Sequence, residues 1–167
     1  MRVDLERVLL DKICDLPTLK SKVAYWQLEG EKVVFTNGVF DLLHIGHITY
    51  MAKAADLGDR LIVGLNADNS VKRLKGDDRP VNDQINRAAL LAALFFVDGI
   101  VIFEEDTPID LISTLLPDIL VKGADYTIDN IVGAKEVLAN GGEVKTIDLV
   151  GGYSSTSIIQ KIRKQGT

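Results

Sequence analysis

The 167-residue chain has a single cysteine, Cys14, so neither an internal disulfide framework nor a Cys-rich zinc site can be built from it. It has no basic excess. Lys plus Arg number 19 against 24 Asp plus Glu, a formal net charge of −5, which argues against a general nucleic-acid binder. It has no long hydrophobic run either: residues 88–97 form the longest wholly apolar stretch, about half of what a membrane span needs. The first six residues carry mixed charges and no apolar signal core, so a cytoplasmic location is expected. Internal repeats, low-complexity tracts and long linkers are absent. What remains, at 47% hydrophobic and 26% charged residues, is the composition of one ordinary globular domain.

Short apolar runs alternate with helical patterns along the chain. The runs are Val33-Val-Phe-Thr, Leu61-Ile-Val-Gly-Leu, Ile100-Val-Ile-Phe, Ile119-Leu-Val and Val144-Lys-Thr-Ile-Asp-Leu-Val. The first four are continuous rather than alternating, which predicts strands covered on both faces. Helices are predicted over 48–57, ending at Gly58, and over 83–96, capped by Asn82 or Asp83. A third begins with Thr107 as N-cap and Pro108 at the first helical position, and ends before Pro117. Two more cover 129–139 and 155–164. The fold class that follows is α/β: an open, doubly wound, five-stranded parallel sheet of Rossmann-like type. Residues 1–30 read as a helical segment packed on the sheet, and 31–167 as the main α/β domain. Cys14 and Trp26 read as packing residues. Ligands in such folds sit beyond the carboxyl ends of the strands, so the strand-to-helix turns are where chemistry is sought.

The chain's two histidines, His44 and His47, stand three apart in the turn that follows the first strand and opens the first helix after it. Positions i and i+3 share a helix face, so both imidazoles can face one ligand above a helix N-terminus, where unpaired N–H groups favour phosphate. Gly38 and Gly46 remove side chains where phosphates need close backbone approach. A bare HxxH also fits capping histidines or half a metal site.

The full segment Gly38-Val-Phe-Asp41-Leu-Leu-His44-Ile-Gly46-His47 resembles the GxFDxxHxGH signature of the cytidylyltransferase-like nucleotidyltransferases. From about Lys32 onward the resemblance is to the branch that adenylylates D-glycero-β-D-manno-heptose 1-phosphate. Its carriers are Ser70-Val-Lys-Arg-Leu-Lys-Gly76, Asp78-Arg-Pro-Val-Asn82, Phe103-Glu-Glu-Asp-Thr-Pro108, Leu120-Val-Lys-Gly-Ala-Asp-Tyr126, Lys135-Glu-Val-Leu-Ala-Asn-Gly-Gly-Glu143 and Ser154-Ser-Thr-Ser-Ile-Ile159. Many members of that branch are fused to a sugar kinase, for which 167 residues leave no room, so a stand-alone form is expected. The resemblance implies ATP and a sugar 1-phosphate as partners and Mg²⁺ with the ATP. It implies no nucleic acid and no membrane, and it admits a homodimer.

Site residues follow in the same way. The resemblance implies His44 and His47 as donors to phosphate oxygens, with Thr36, Asn37, Gly38, Phe40 and Gly46 against the nucleotide. Five of the 19 positive charges (Lys72, Arg73, Lys75, Arg79 and Arg87) fall within 16 residues, enough to offset the repulsion between two phosphorylated substrates. A solvated helix and loop would look the same. Within this run the resemblance singles out Lys72 and Lys75 over the transferring group and Arg87 on the triphosphate. Lys122, Gly123 and Asp125 follow the fourth strand, where they fit a base or ribose, or simply an Asp-capped turn. Ser154, Ser155 and Thr156 open the last helix, fitting either a triphosphate grip or an N-cap. Asp41 is either an outer-sphere metal partner or the residue that fixes its turn. The alternatives are a cytidylyltransferase for glycerol 3-phosphate or another alcohol phosphate, and a silent nucleotide-binding module. The glycerol-phosphate enzymes resemble RTxxISTT near the fifth strand, whereas this chain has Leu149 where the arginine aligns.

Overall fold

The computed structural model describes residues 4–165. Five parallel strands, β1 (Val33–Gly38), β2 (Arg60–Asn66), β3 (Gly99–Phe103), β4 (Ile119–Gly123) and β5 (Glu143–Ile147), form one sheet in the order β3-β2-β1-β4-β5. The chain therefore reverses its winding at β1, and the gap between β1 and β4 is the topological switch point where such sheets bind ligands.

Two cores explain the continuous apolar runs. On one face Val34, Leu61, Val63, Leu65, Ile100, Ile119 and Val121 meet α3 (Ile45–Ala55) and α5 (Gln84–Ala92) through Tyr50, Met51, Ala54, Ala88 and Leu91. On the other, Val33, Phe35, Ile62, Val101, Phe103 and Leu120 meet α2 (Leu16–Leu28), α6 (Ile109–Leu115) and α7 (Ala134–Ala139) through Leu19, Val23, Leu111, Ile112 and Val137. Successive strand residues point to opposite faces, so burial of both faces demands apolar residues at every position. β5 is an edge strand in which only Ile147 is buried, which is why its run mixes Lys and Thr among the apolar residues.

Helix limits differ from the sequence reading in instructive places. The segment 129–139 is not one helix: a 3-10 turn (Ile128–Asn130) and α7 are separated by Gly133 at φ +84°. A Cβ there would lie 2.6 Å from Ile112, so packing against α6 dictates the break. α6 starts one residue late, with Pro108 rather than Thr107 at the N-cap. α3 starts earlier than 48, at Ile45, with His44 itself at the N-cap. Lys72, Arg73 and Lys75 of the basic run lie on a helix, α4 (Asp68–Lys75), whereas Arg79 follows it. At the N-terminus, α1 (Leu5–Leu10) buries no residue. Beyond it Cys14 N–H donates to Ile100 O at 2.9 Å and Ile100 N–H to Lys12 O at 2.8 Å, covering the outer edge of β3.

The amino ends of the strands are closed by carboxylates. Asp118 accepts from Val33 N–H at 2.8 Å and from Gln27 Nε2 at 3.2 Å, while Asp98 accepts from Leu61 N–H at 2.9 Å and from Arg60. Replacing Asp118 by Ala strands the first amide of the central strand. Asp118→Ala is expected to lower unfolding free energy by about 1–3 kcal/mol, read as a shift in urea midpoint with unchanged slope.

Candidate active site

The strand-to-helix turns after all five strands converge on a cavity of about 630 Å³ beyond the carboxyl edge of the sheet. Its floor is the turn after β1. Phe40 holds a left-handed backbone conformation, φ +45°, of a kind that costs about 1–3 kcal/mol for a non-glycine residue and persists where the surroundings impose it. From there its ring meets His47 edge-on, with centroids 5.3 Å apart, and His47 stacks on His44 at 3.8 Å. Glycines end this row of rings on both sides. A Cβ on Gly38 would lie 2.9 Å from the Phe40 ring, and one on Gly46 would lie 3.0 Å from the His44 ring. Both glycines line the cavity, but the space each leaves is filled first by a ring of the same motif.

The two imidazoles are neutral at physiological pH. Burial, then His44 and Lys75 nearby, bring the His47 pKa down to about 4, and burial lowers that of His44. Each neutral ring keeps one N–H to donate. Nδ1 of each is buried without a hydrogen-bond partner among the described residues.

Asp41 lies on the same turn and is almost wholly buried. Its carboxylate accepts from Val81 N–H at 2.8 Å, Asn82 N–H at 2.9 Å and Arg79 Nε at 2.7 Å. Burial alone would raise its pKa, but the Asn82, Val81 and Arg79 hydrogen bonds outweigh that and hold it below the usual range. With both oxygens committed, Asp41 ties the β1–α3 turn to the α4–α5 loop, and the metal-partner reading is not what this geometry serves.

The other sequence candidates divide. Asn37, Gly38, Phe40, Gly46, His44, His47, Lys75, Lys122, Gly123, Asp125, Ser154, Ser155 and Thr156 all line the cavity. Lys122 is largely buried, donates to Asn37 O at 3.3 Å and faces the Tyr126 ring at 5.7 Å; burial lowers its pKa to about 8, opposed by Asp125. Leu149 also reaches this end, packing over Gly123. Ser154 Oγ accepts from Ser157 N–H at 3.0 Å, and Ser155 Oγ donates to Leu42 O at 3.0 Å, so these two hydroxyls already serve α8 (Ser155–Gln165) and its docking.

Three candidates lie elsewhere. Thr36 is fully buried below the cavity, with its hydroxyl on Tyr50 at 2.8 Å. Lys72 is exposed on α4 outside the cavity lining. Arg87, expected on the triphosphate, is 0% exposed: Nε donates to Asn82 O, Nη1 to Val39 O and Asn66 O, and Nη2 to Asp68 at 2.7 Å. It braces the loops from inside and faces no open space. Arg79, by contrast, lines the cavity, and nothing in the basic run distinguished it. Its one signal is the neighbouring Pro80-Val81-Asn82, whose two amides Asp41 receives.

A switch-point cavity floored by a helix N-terminus, with two neutral imidazoles and the cations Lys75, Arg79 and Lys122 around it, is the arrangement of the nucleotidyltransferase class. The chain belongs to the cytidylyltransferase-like family, whose profile matches residues 35–161. It is 53% identical over 152 residues to the bifunctional protein HldE of Methylobacillus flagellatus, covering 91% of this chain and 31% of that protein. With the HldE of Mesorhizobium japonicum the identity is 56% over 157 residues, covering 94% and 32%. The chain thus spans about a third of the length of these curated relatives. Among solved structures, the lipopolysaccharide core biosynthesis protein of Thermoplasma volcanium superposes with a TM-score of 0.58 at 31% identity, covering 72% of this chain and 98% of that one. Pantoate-β-alanine ligase of Francisella tularensis shares the fold, with a TM-score of 0.58 at 16% identity over 91% of this chain and 77% of that one.

Two outcomes are expected. Arg87→Ala removes a fully buried guanidinium from the partly exposed Asp68 and leaves three carbonyls without donors, at about 1–3 kcal/mol for each unmet group, so it should be strongly destabilising in urea unfolding. Any folded remainder should lose nucleotide affinity along with stability, because Arg87 holds Val39 and Asn82 in the loops that frame the cavity without itself reaching it. The second concerns pH. His47 has a folded pKa near 4 against 6.5 for the free side chain, so between those values the unfolded chain takes up the proton first. Stability should therefore fall as pH drops from about 6.5 towards 4, before Asp41 contributes. Urea unfolding at about pH 7.5 and pH 5 should show this loss in the wild type and less of it in His47→Asn; equal wild-type stability at both would exclude a buried neutral imidazole.

Proposed function

We propose that the protein transfers the adenylyl group of ATP to D-glycero-β-D-manno-heptose 1-phosphate, giving ADP-heptose and pyrophosphate. The observation that supports this most directly is the His44–His47 pair over the α3 N-terminus with Lys75 at the same cavity. The motifs of the heptose-phosphate branch and the kinship to HldE agree with it.

In this reaction an oxygen of the sugar phosphate bonds to the α-phosphorus of ATP, the α–β bridging P–O bond breaks, and its electron pair leaves with pyrophosphate. A phosphate monoester is already anionic at neutral pH, so the attack needs no general base. Imidazoles held neutral suit that requirement, since they neither take nor give up a proton. They donate hydrogen bonds to oxygens whose charge grows in the transition state, and the α3 N-terminus adds its dipole. Lys75, its pKa lowered by burial and then by Arg79, is a cation at the same cavity. Lys122, Gly123, Asp125, Tyr126 and Leu149 offer a partly apolar end for the base, with no arginine at position 149. Mg²⁺ would arrive with ATP and neutralise charge on the leaving pyrophosphate. Among the described residues no three His, Cys, Asp or Glu side chains cluster as a metal site. Asp41 is committed, Asp106 is paired with Arg73 at 2.8 Å and Asp125 lies at the end proposed for the base, so the ion would be held chiefly by the phosphates themselves.

The test is pyrophosphate release with each of the four nucleoside triphosphates against a panel of sugar and polyol phosphates. ATP with the heptose phosphate should exceed CTP with any acceptor by at least ~10-fold in kcat/KM, about 1.4 kcal/mol. His44→Ala and His47→Ala should each lower kcat by ~10²–10³, the loss typical of one aimed donor. Turnover confined to CTP and glycerol 3-phosphate would replace this reading, and no turnover with any pair would leave a binding module.

A further inference from the structure

Arg79 is held in an unusual way. Its side chain is 9% exposed and its Nε donates to Asp41 at 2.7 Å, yet the pair is not the two-pronged fork that Arg and carboxylate usually form. The carboxylate has no capacity left for a second prong, because Val81 and Asn82 amides fill it. The Arg79 Nη2 is consequently buried with no hydrogen-bond partner among the described residues, in a residue that lines the cavity. Buried guanidinium N–H groups are rarely left unmet, and the natural complement of one beside a second cation is an anion. The second cation is Lys75, whose pKa Arg79 helps to lower; Asp41 is committed to the loop amides, and Asp78, the other carboxylate that feels Arg79, is paired with Arg163 at 2.8 Å.

We propose that Arg79 is a binding residue for the phosphate of the acceptor substrate, received by Nη2 while Asp41 holds Nε. That the acceptor is a sugar 1-phosphate rests on the function proposed above; that Arg79 takes a phosphate rests on its orphaned nitrogen. The end of the cavity follows from the sheet order. Arg79 and Lys75 belong to the connection between β2 and β3, on one side of β1, whereas Lys122 and Leu149 follow β4 and β5 on the other. With the base among the latter, the former meets the second substrate.

Isothermal titration of wild type, Arg79→Gln and Arg79→Lys with the heptose 1-phosphate, inorganic phosphate and ATP tests this. Melting by circular dichroism first establishes that each chain is folded. Arg79→Lys keeps a cation facing Asp41 but lacks the second nitrogen, so it reports on the phosphate even where Arg79→Gln unfolds. Both single-phosphate probes should bind at least ~10-fold more weakly to the variants, about 1.4 kcal/mol, with ATP changed less than ~3-fold. Wild-type binding of inorganic phosphate but not of the sugar phosphate, with the same loss in Arg79→Lys, would uphold the Arg79 site and refute the heptose acceptor. Equal loss of ATP, unchanged affinity for both phosphate probes, no wild-type binding of either, or unfolding of both variants would overturn the inference.

Discussion

The carboxylate of Asp41, buried and saturated by Val81, Asn82 and Arg79, is the interaction on which the site depends. It fastens the turn after β1 to the loop before α5. Arg87 continues the same fastening from beneath, reaching Asn82, Val39, Asn66 and Asp68. Three segments far apart in sequence are thereby fixed around the end of β2 and the start of α3. Charges held this deep are sustained by complete hydrogen bonding rather than by attraction alone, so the loss of one partner is felt by all. The two imidazole rings stand on this frame, which gives the acid in the motif a mechanical purpose.

How far the molecule could be read from its residues follows from the same distinction. The sheet was legible because strands buried on both faces must be continuously apolar, and the runs at Val33, Leu61, Ile100 and Ile119 are. The histidines were legible because their spacing and position after a strand admit few uses. Burial of charge was not legible. Arg87, Thr36 and Lys72 have the residue types that meet phosphates, and only the packing shows that Arg87 and Thr36 look inward and Lys72 looks out. Arg79 failed to stand out for the opposite reason. Its importance lies in an atom left unbonded, and unbonded atoms have no signature in sequence. The break at Gly133 was hidden likewise, since Ile112, which requires it, lies 21 positions earlier.

Electrically, the chain divides its labour. The protein as a whole is acidic, and its cavity sets Lys75, Arg79 and Lys122 against Asp41, Asp106 and Asp125 around imidazoles that carry no charge. A cation there attracts both substrates whatever their stage of reaction. A neutral donor gives most when charge builds up on the oxygen it faces, which favours the transition state over the ground state. In the proposed reaction Lys75 and Lys122, with pKa values lowered by their surroundings, would supply the first kind of interaction, and the stacked histidines the second.

The row Gly38, Phe40, His47, His44, Gly46 has one more consequence. A close-packed line of rings, stopped at each end by an atom-sized clearance, has a fixed length. It behaves like books between bookends: nothing can thicken at one end without displacing what stands in the middle. The aim of the two donors is thus set by tolerances at positions 38 and 46, through space rather than through bonds. The signature that reads as a string of separate conserved-looking letters is physically a single gauge, and its precision is no better than that of its smallest residues.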